Sequence, residues 1–78
     1  MTVTVLYFAS LRDAAGRDSE RVERPESLSA LYDTLASRHG FTLARERLRV
    51  AVDGEFAHWD HAPAEGAEVA FIPPVSGG

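Results

Sequence analysis

The chain has no cysteine and no lysine. Without a thiol it can carry no disulfide, persulfide, cysteine nucleophile or zinc–thiolate site, and nothing in its composition calls for an oxidising compartment. Without a lysine it offers no Schiff-base amine and no isopeptide acceptor beyond its own α-amino group. All eight basic residues are arginine, and genome composition is a plainer reading of that bias than a functional one. Positive charge is not in excess either: twelve acidic residues leave a net charge of −4, which speaks against a general nucleic-acid binder. No apolar run approaches the roughly 20 residues of a membrane span, and no basic stretch precedes an apolar one at the N-terminus, so the cytoplasm is the expected location and no membrane partner is expected. Seventy-eight residues allow one domain, with a core that buries about 60–65% of the unfolded surface and a net stability of ~5 kcal/mol.

What is present is a series of changes in hydrophobic period. Thr2 to Ala9 is rich in β-branched and aromatic residues and predicts a strand, with Val3, Val5 and Tyr7 on one face and Leu6 and Phe8 on the other. A short helical turn follows from Ser10, the expected N-cap, to Gly16. Ser19 to Arg24, polar except for Val22, predicts a weak, exposed strand that Pro25 ends. Leu28, Leu31, Tyr32, Leu35 and His39 then recur at helical spacing behind an N-cap at Ser27, and Gly40 occupies the C-cap position. Leu48 to Val52 predicts a strand with Leu48, Val50 and Val52 inward. Asp53-Gly54 is a turn signal leading into a short return strand over Glu55-Phe56-Ala57. Glu65-Gly66 marks a further turn before a last strand, Glu68 to Ile72.

This order is α+β: a mixed sheet of about five strands with one main helix across one face, and the apolar first and last strands central. Leu6 and Phe8 then point away from the helix, where they form either a docking surface or a patch covered by the chain's own loops.

The chain closes on Pro73-Pro74-Val75-Ser76-Gly77-Gly78. We divide it into a domain over residues 1–72 and an extended tail over 73–78. Proline favours an extended, solvated backbone, so Pro73 and Pro74 are expected to direct the tail away from the domain. Pro74 to Gly78 then spans at most roughly 15–18 Å. Gly77 and Gly78, lacking Cβ, fit a slot too narrow for other residues, and the expectation is a chain that presents its own C-terminal carboxylate.

Val5-Leu6-Tyr7-Phe8-Ala9, Leu11-Arg12-Asp13 with Gly16, Val50-Ala51-Val52-Asp53, and Glu68 through Gly78 together carry a resemblance that runs nearly end to end. The layout resembles the ubiquitin-like β-grasp fold, and the sequence resembles the molybdopterin synthase small-subunit (MoaD) family. Asp53 stands where that family usually has Asn, and Ala67 replaces a common Asp; neither touches the tail. The resemblance implies a non-catalytic sulfur carrier for molybdenum cofactor biosynthesis. An E1-like (MoeB-like) activating enzyme, with ATP and magnesium, adenylates Gly78. A sulfur donor protein then displaces AMP to leave a thiocarboxylate. The tail enters the large (MoaE-like) synthase subunit, which supplies the catalytic groups, and gives sulfur to cyclic pyranopterin monophosphate in a two-plus-two complex. No permanently bound cofactor is expected. Gly77 and Gly78 are the reacting end, and Leu6, Phe8, Phe71, Pro73, Pro74, Val75 and Ser76 are the expected partner contacts.

Other chemistry is weakly represented. His58-Trp59-Asp60-His61 supplies three candidate ligands where a closed zinc site normally takes four, so no metal is expected. A solvated loop with Trp59 against the sheet edge is the preferred reading. His39 is expected to meet the last carbonyls of its helix, and Arg12 with Asp13 to form a surface pair. Two other roles fit the same tail: a sulfur carrier for thiamine or tRNA thiolation, and a ubiquitin-like conjugating modifier. The Phe71-Ile72-Pro73-Pro74 segment speaks against the thiamine version.

Overall fold

Alternation in two strands and a 3.6-residue period in one helix generate the core. The computed structural model describes residues 1–74. In chain order it contains β1 (Thr2–Tyr7), α1 (Ala9–Ala15), β2 (Ser19–Glu23), α2 (Leu28–His39), a 3-10 turn (Arg45–Arg47), β3 (Arg49–Val52), β4 (Glu55–Phe56) and β5 (Glu68–Ile72). The strands form one sheet in the order β2-β1-β5-β3-β4, with β1 and β5 parallel and the other neighbours antiparallel. This is the β-grasp arrangement that the resemblance implies, with the first and last strands central.

Val3, Val5 and Tyr7 of β1 and Val69 and Phe71 of β5 point to one face, where Leu28, Leu31, Tyr32 and Leu35 of α2 cover them. All are buried. α2 starts where expected: the Ser27 side chain accepts a hydrogen bond from the Ala30 N–H at 3.1 Å. It ends at Gly40, whose φ of 75° is left-handed and whose N–H bonds the Ala36 carbonyl at 2.8 Å.

Several local expectations are corrected. α1 begins at Ala9, and the extended Phe8 occupies its N-cap position without a side-chain cap, so Ser10 lies inside the helix. Arg12 reaches Asp18, at 3.8 Å, rather than Asp13. β4 has two residues, not three. In β3, Val50 is buried and Val52 half-buried, but Ala51 on the opposite side is buried as well, because a methyl group between two neighbouring strands is shielded by them. In the His58–His61 segment Trp59 borders the β3–β4 end of the sheet beside Val50 and Phe56, and it also stacks on Phe71, with centroids 6.0 Å apart and planes at 9°, and lies edge-on to Tyr32 at 5.9 Å. Its backbone also has a use: the Trp59 and His61 carbonyls accept the N–H groups of Ser29 and Leu28, each at 2.9 Å. Two donors at the start of α2 that no helical carbonyl can reach are satisfied this way.

Candidate docking face and tail root

The period of two that buries Val69 and Phe71 turns Ala70 and Ile72 to the opposite face of β5, the face that carries Leu6. Strand register then builds a single row across the sheet. Leu6 pairs with Ala70, Ala70 with Ala51, and Ala51 with Phe56. The two alanines make a low floor between the larger Leu6 and Phe56 side chains. The result is an open groove of about 570 Å³ that Phe8, Ile72, Pro73 and Pro74 extend. Phe8 is 44% exposed and Phe56 67%. The Arg49 guanidinium lies 5.4 Å from the centre of the Phe56 ring and sets a cationic border to the apolar row.

The turn that returns the chain to β4 is held by Asp53. Its φ of 51° is one that Asp and Asn tolerate, and its Oδ1 accepts the Glu68 N–H at 3.0 Å. Asn offers the same acceptor, so the departure at this position preserves the geometry.

Of the expected partner contacts, Leu6, Phe8, Pro73 and Pro74 lie together on this groove. Phe71 does not: it is 0% exposed, 5.3 Å from Tyr32 by ring centroids, and belongs to the core on the helix side. The parity of β5 decides this, because a residue adjacent to Ile72 must point to the other face. Val75, Ser76, Gly77 and Gly78 lie outside the described residues. The groove also recruits Ala51, Phe56, Ala70 and Ile72, which reading strand by strand had not singled out. Alternation in β5 already signalled Ala70 and Ile72, whereas Ala51 and Phe56 need the β3–β4 register.

Ile72 is the last residue of β5 in the ladder, opposite Arg49. Pro73 follows without an N–H to continue it, so the chain leaves the sheet at the rim of the groove. Among the described residues the groove's ionisable neighbours are Glu68 in its lining and Arg49 at the Phe56 border, and no three His, Cys, Asp or Glu residues gather to hold a metal. An apolar face with one carboxylate at its border can bind a protein surface but supplies no acid–base pair.

The principal ionisable cluster lies on the helix side instead. Glu20, placed inward by β2, accepts the Tyr7 hydroxyl at 2.7 Å and His39 Nε2 at 2.9 Å through the same oxygen. Arg38 at 3.3 Å and Arg17 at 3.7 Å approach the other oxygen. His39 is thus tied to β2 rather than to the helix carbonyls. Burial pushes the Glu20 carboxyl up, but the hydrogen bonds from Tyr7 and His39 and the charges of His39 and Arg17 outweigh it and hold the group below the ordinary carboxylate range. Burial, and then the hydrogen bond to Glu20, push the Tyr7 phenol well above its ordinary range. This cluster joins β1, β2 and the end of α2, and its partners are all internal.

The ThiS family model matches residues 5–78. The molybdopterin synthase sulfur carrier subunit of Escherichia coli is 35% identical over 97% of this chain and 99% of its own length. The structure is similar to SAMP1 from Haloferax volcanii, with a TM-score of 0.82 and 29% identity over the whole of both chains. It is also similar to the putative molybdopterin converting factor subunit 1 of Pyrococcus furiosus, with a TM-score of 0.78 and 31% identity over 96% of this chain and 99% of the other. A match across nearly the whole sequence, with relatives a third identical from end to end, places the chain in the ThiS family, alongside the molybdopterin synthase sulfur carrier subunits.

Proposed function

We propose that the chain is the sulfur carrier subunit of a molybdopterin synthase, and that the carboxyl group of Gly78 is the atom group that carries the sulfur. The observation that supports this most directly is the position of the tail root: Pro73 and Pro74 lead the chain off the central strand at the rim of an apolar groove. A partner seated on the groove would receive the tail in a defined direction. The likeness to the Escherichia coli sulfur carrier subunit supports the same reading.

The chemistry follows from what the chain lacks. With no cysteine the chain has no thiol on which to carry transferable sulfur, and the C-terminal carboxyl is the place where it would hold sulfur as an acyl species. A carboxylate is a poor electrophile. Its oxygen attacks the α-phosphate of ATP on an E1-like enzyme that holds the magnesium, and pyrophosphate leaves. The outer sulfur of a donor protein's persulfide then attacks the acyl carbon and AMP departs, and a second thiol on the charging machinery cleaves the remaining S–S bond, forming a disulfide with the donor and releasing the thiocarboxylate. Gly78 leaves that carbon unhindered, and Gly77 lets the backbone pass through a narrow channel. The groove docks on a large subunit that supplies the acid–base groups and stabilises the acyl oxyanion, in a two-plus-two assembly in the cytoplasm. There the thiocarboxylate sulfur bonds to cyclic pyranopterin monophosphate, and water then cleaves the acyl C–S bond, so the sulfur stays on the substrate and the chain returns as its carboxylate.

Intact mass spectrometry tests this. After incubation with an activating enzyme, ATP, magnesium and a sulfur source, the full chain gains about 16 Da, the exchange of one oxygen for sulfur, and a chain lacking Gly78 gains nothing. No gain in the full chain under conditions that charge the Escherichia coli relative defeats the proposal. The likeness to a small archaeal modifier protein favours a second use of the same activated terminus, transfer to a lysine amine of another protein. That product is an adduct larger by the mass of this chain, which the same spectrum distinguishes.

A further inference from the structure

β2 lies at one edge of the sheet, and the backbone groups on its free side can be identified. The Tyr7 N–H bonds the Asp18 carbonyl at 2.8 Å, and the Arg24 N–H bonds the Met1 carbonyl at 3.0 Å. Between them the register sets Val5 against Glu20 and Val3 against Val22. Hydrogen-bonded and non-hydrogen-bonded pairs alternate in an antiparallel ladder. Residues 18, 20, 22 and 24 therefore turn their N–H and C=O groups to β1, and Ser19, Arg21 and Glu23 turn theirs outward. Among the described residues nothing bonds these outward groups.

Charged side chains on an edge strand usually prevent edge-to-edge pairing. The opposition is strongest where like charges meet and is relieved where opposite charges pair, and the order of charges in β2 has an unusual symmetry. Glu20, Arg21, Val22, Glu23 and Arg24 run negative, positive, neutral, negative, positive, and reversing the strand exchanges every sign. In a two-fold antiparallel pairing centred on Val22, Arg21 of each copy meets Glu23 of the other, and Arg24 lies opposite Glu20, whose carboxylate stays with Tyr7, His39, Arg38 and Arg17 of its own chain. The outward backbone groups of Arg21 and Glu23 form the hydrogen-bonded pairs of that ladder. Centring on Arg21 instead sets Arg21 against itself, and centring on Glu20 sets two carboxylates together. One register is selected. Arg21, Glu23 and Arg24 are exposed, and among the described residues none of them takes part in an ion pair. Val22 is half-buried at the lip of an open groove of about 530 Å³ between β2 and α2, with Leu31 and Leu35 in its lining. A second Val22 beside it covers apolar surface that is now wet.

We propose that two copies of this chain associate through their β2 edges, antiparallel about Val22, into one continuous sheet. Five residues of edge cover much less than the ~1,000 Å² of a stable interface, so the dimer is weak and concentration-dependent. The edge is at the far end of the sheet from β3 and β4 and leaves the Leu6–Phe56 groove open. The proposal is therefore independent of the sulfur-carrier reading.

Sedimentation equilibrium of the full chain, from about 20 µM to about 1 mM, tests it. The mass rises with concentration from 8.5 kDa toward twice that value. Arg21→Glu and Glu23→Arg each put like charges at both crossings and weaken association by about tenfold or more. An equimolar mixture of the two variants restores it, and so does the double variant R21E/E23R. A wild-type chain that stays monomeric throughout overturns the proposal. So does association that survives Arg21→Glu but is lost in Leu6→Arg, which would assign it to the apolar groove, and so does a loss in the single variants that neither the mixture nor the double variant repairs.

Discussion

Glu20 shows how one residue joins three elements. Its carboxylate gathers a phenol from β1, an imidazole and a guanidinium from the end of α2, and Arg17 from the turn before β2. Because the folded state holds this carboxyl below its ordinary value of 4.5, the unfolded chain binds the proton first as pH falls. The stabilisation is therefore complete above that value and is lost as pH drops through the lower folded one. Tyr7 has the opposite sign: with its phenol raised, its contribution is intact below the ordinary phenol range and is lost in strong alkali. Urea midpoints of wild type and Glu20→Gln are expected to differ most near about pH 7 and to converge as pH falls below the ordinary carboxylate range. A gap that stays constant over that range means that the charge of Glu20 is not what stabilises the cluster. Tyr7→Phe, which removes one donor to a charged acceptor, is expected to cost about 1–2 kcal/mol. In the sequence Glu20 was one acid among twelve, and nothing local set it apart.

Among the elements, α2 was the most legible and β2 the least. Ser27, four apolar residues at helical spacing and Gly40 predict α2 to the residue, because its caps and its buried stripe are local features that agree with one another. Replacing Ser27 with Ala removes the acceptor for the Ala30 N–H and is expected to cost about 1 kcal/mol, read as a lower urea midpoint, and Ser27→Asp should retain most of the stability. If Ser27→Ala leaves the midpoint unchanged, the carbonyls of Trp59 and His61 suffice to start the helix. Those carbonyls come from a distant loop whose side chains gave no sign of the role, since a backbone acceptor has no residue type. α1 shows the reverse error. Ser10 carries a capping residue type, but the chain enters the helix at Phe8 because β1 delivers it there in extended conformation.

At the scale of the whole molecule the sheet separates two functions by parity. One face closes the core under α2, and the other presents the row from Leu6 to Phe56 beside the root of the tail. Phe8 and Phe71, the same residue type near the same end of neighbouring strands, should therefore respond differently to truncation. Phe71→Ala opens a cavity in the core and is expected to cost about 3–5 kcal/mol in thermal or urea unfolding. Phe8→Ala and Leu6→Arg should leave unfolding within about 1 kcal/mol of wild type and weaken binding to the large subunit by about tenfold or more in a titration. Equal destabilisation by Phe8→Ala and Phe71→Ala would show that the outer face is structural rather than a docking surface.

The order of elements, the caps of α2, the turn at Asp53-Gly54 and the inward residues of β1 were determined by sequence alone, because each depends on residues within a few positions of one another. Tertiary structure decided which residues share the groove, since Leu6, Ala70, Ala51 and Phe56 become neighbours only through the registers of β1 with β5, β5 with β3 and β3 with β4. It also moved Phe71 to the core, drew Trp59 onto Phe71 and gathered Tyr7 and His39 around Glu20. Local periodicity assigns a side chain to a face, but only strand pairing over long sequence separations sets what stands beside it.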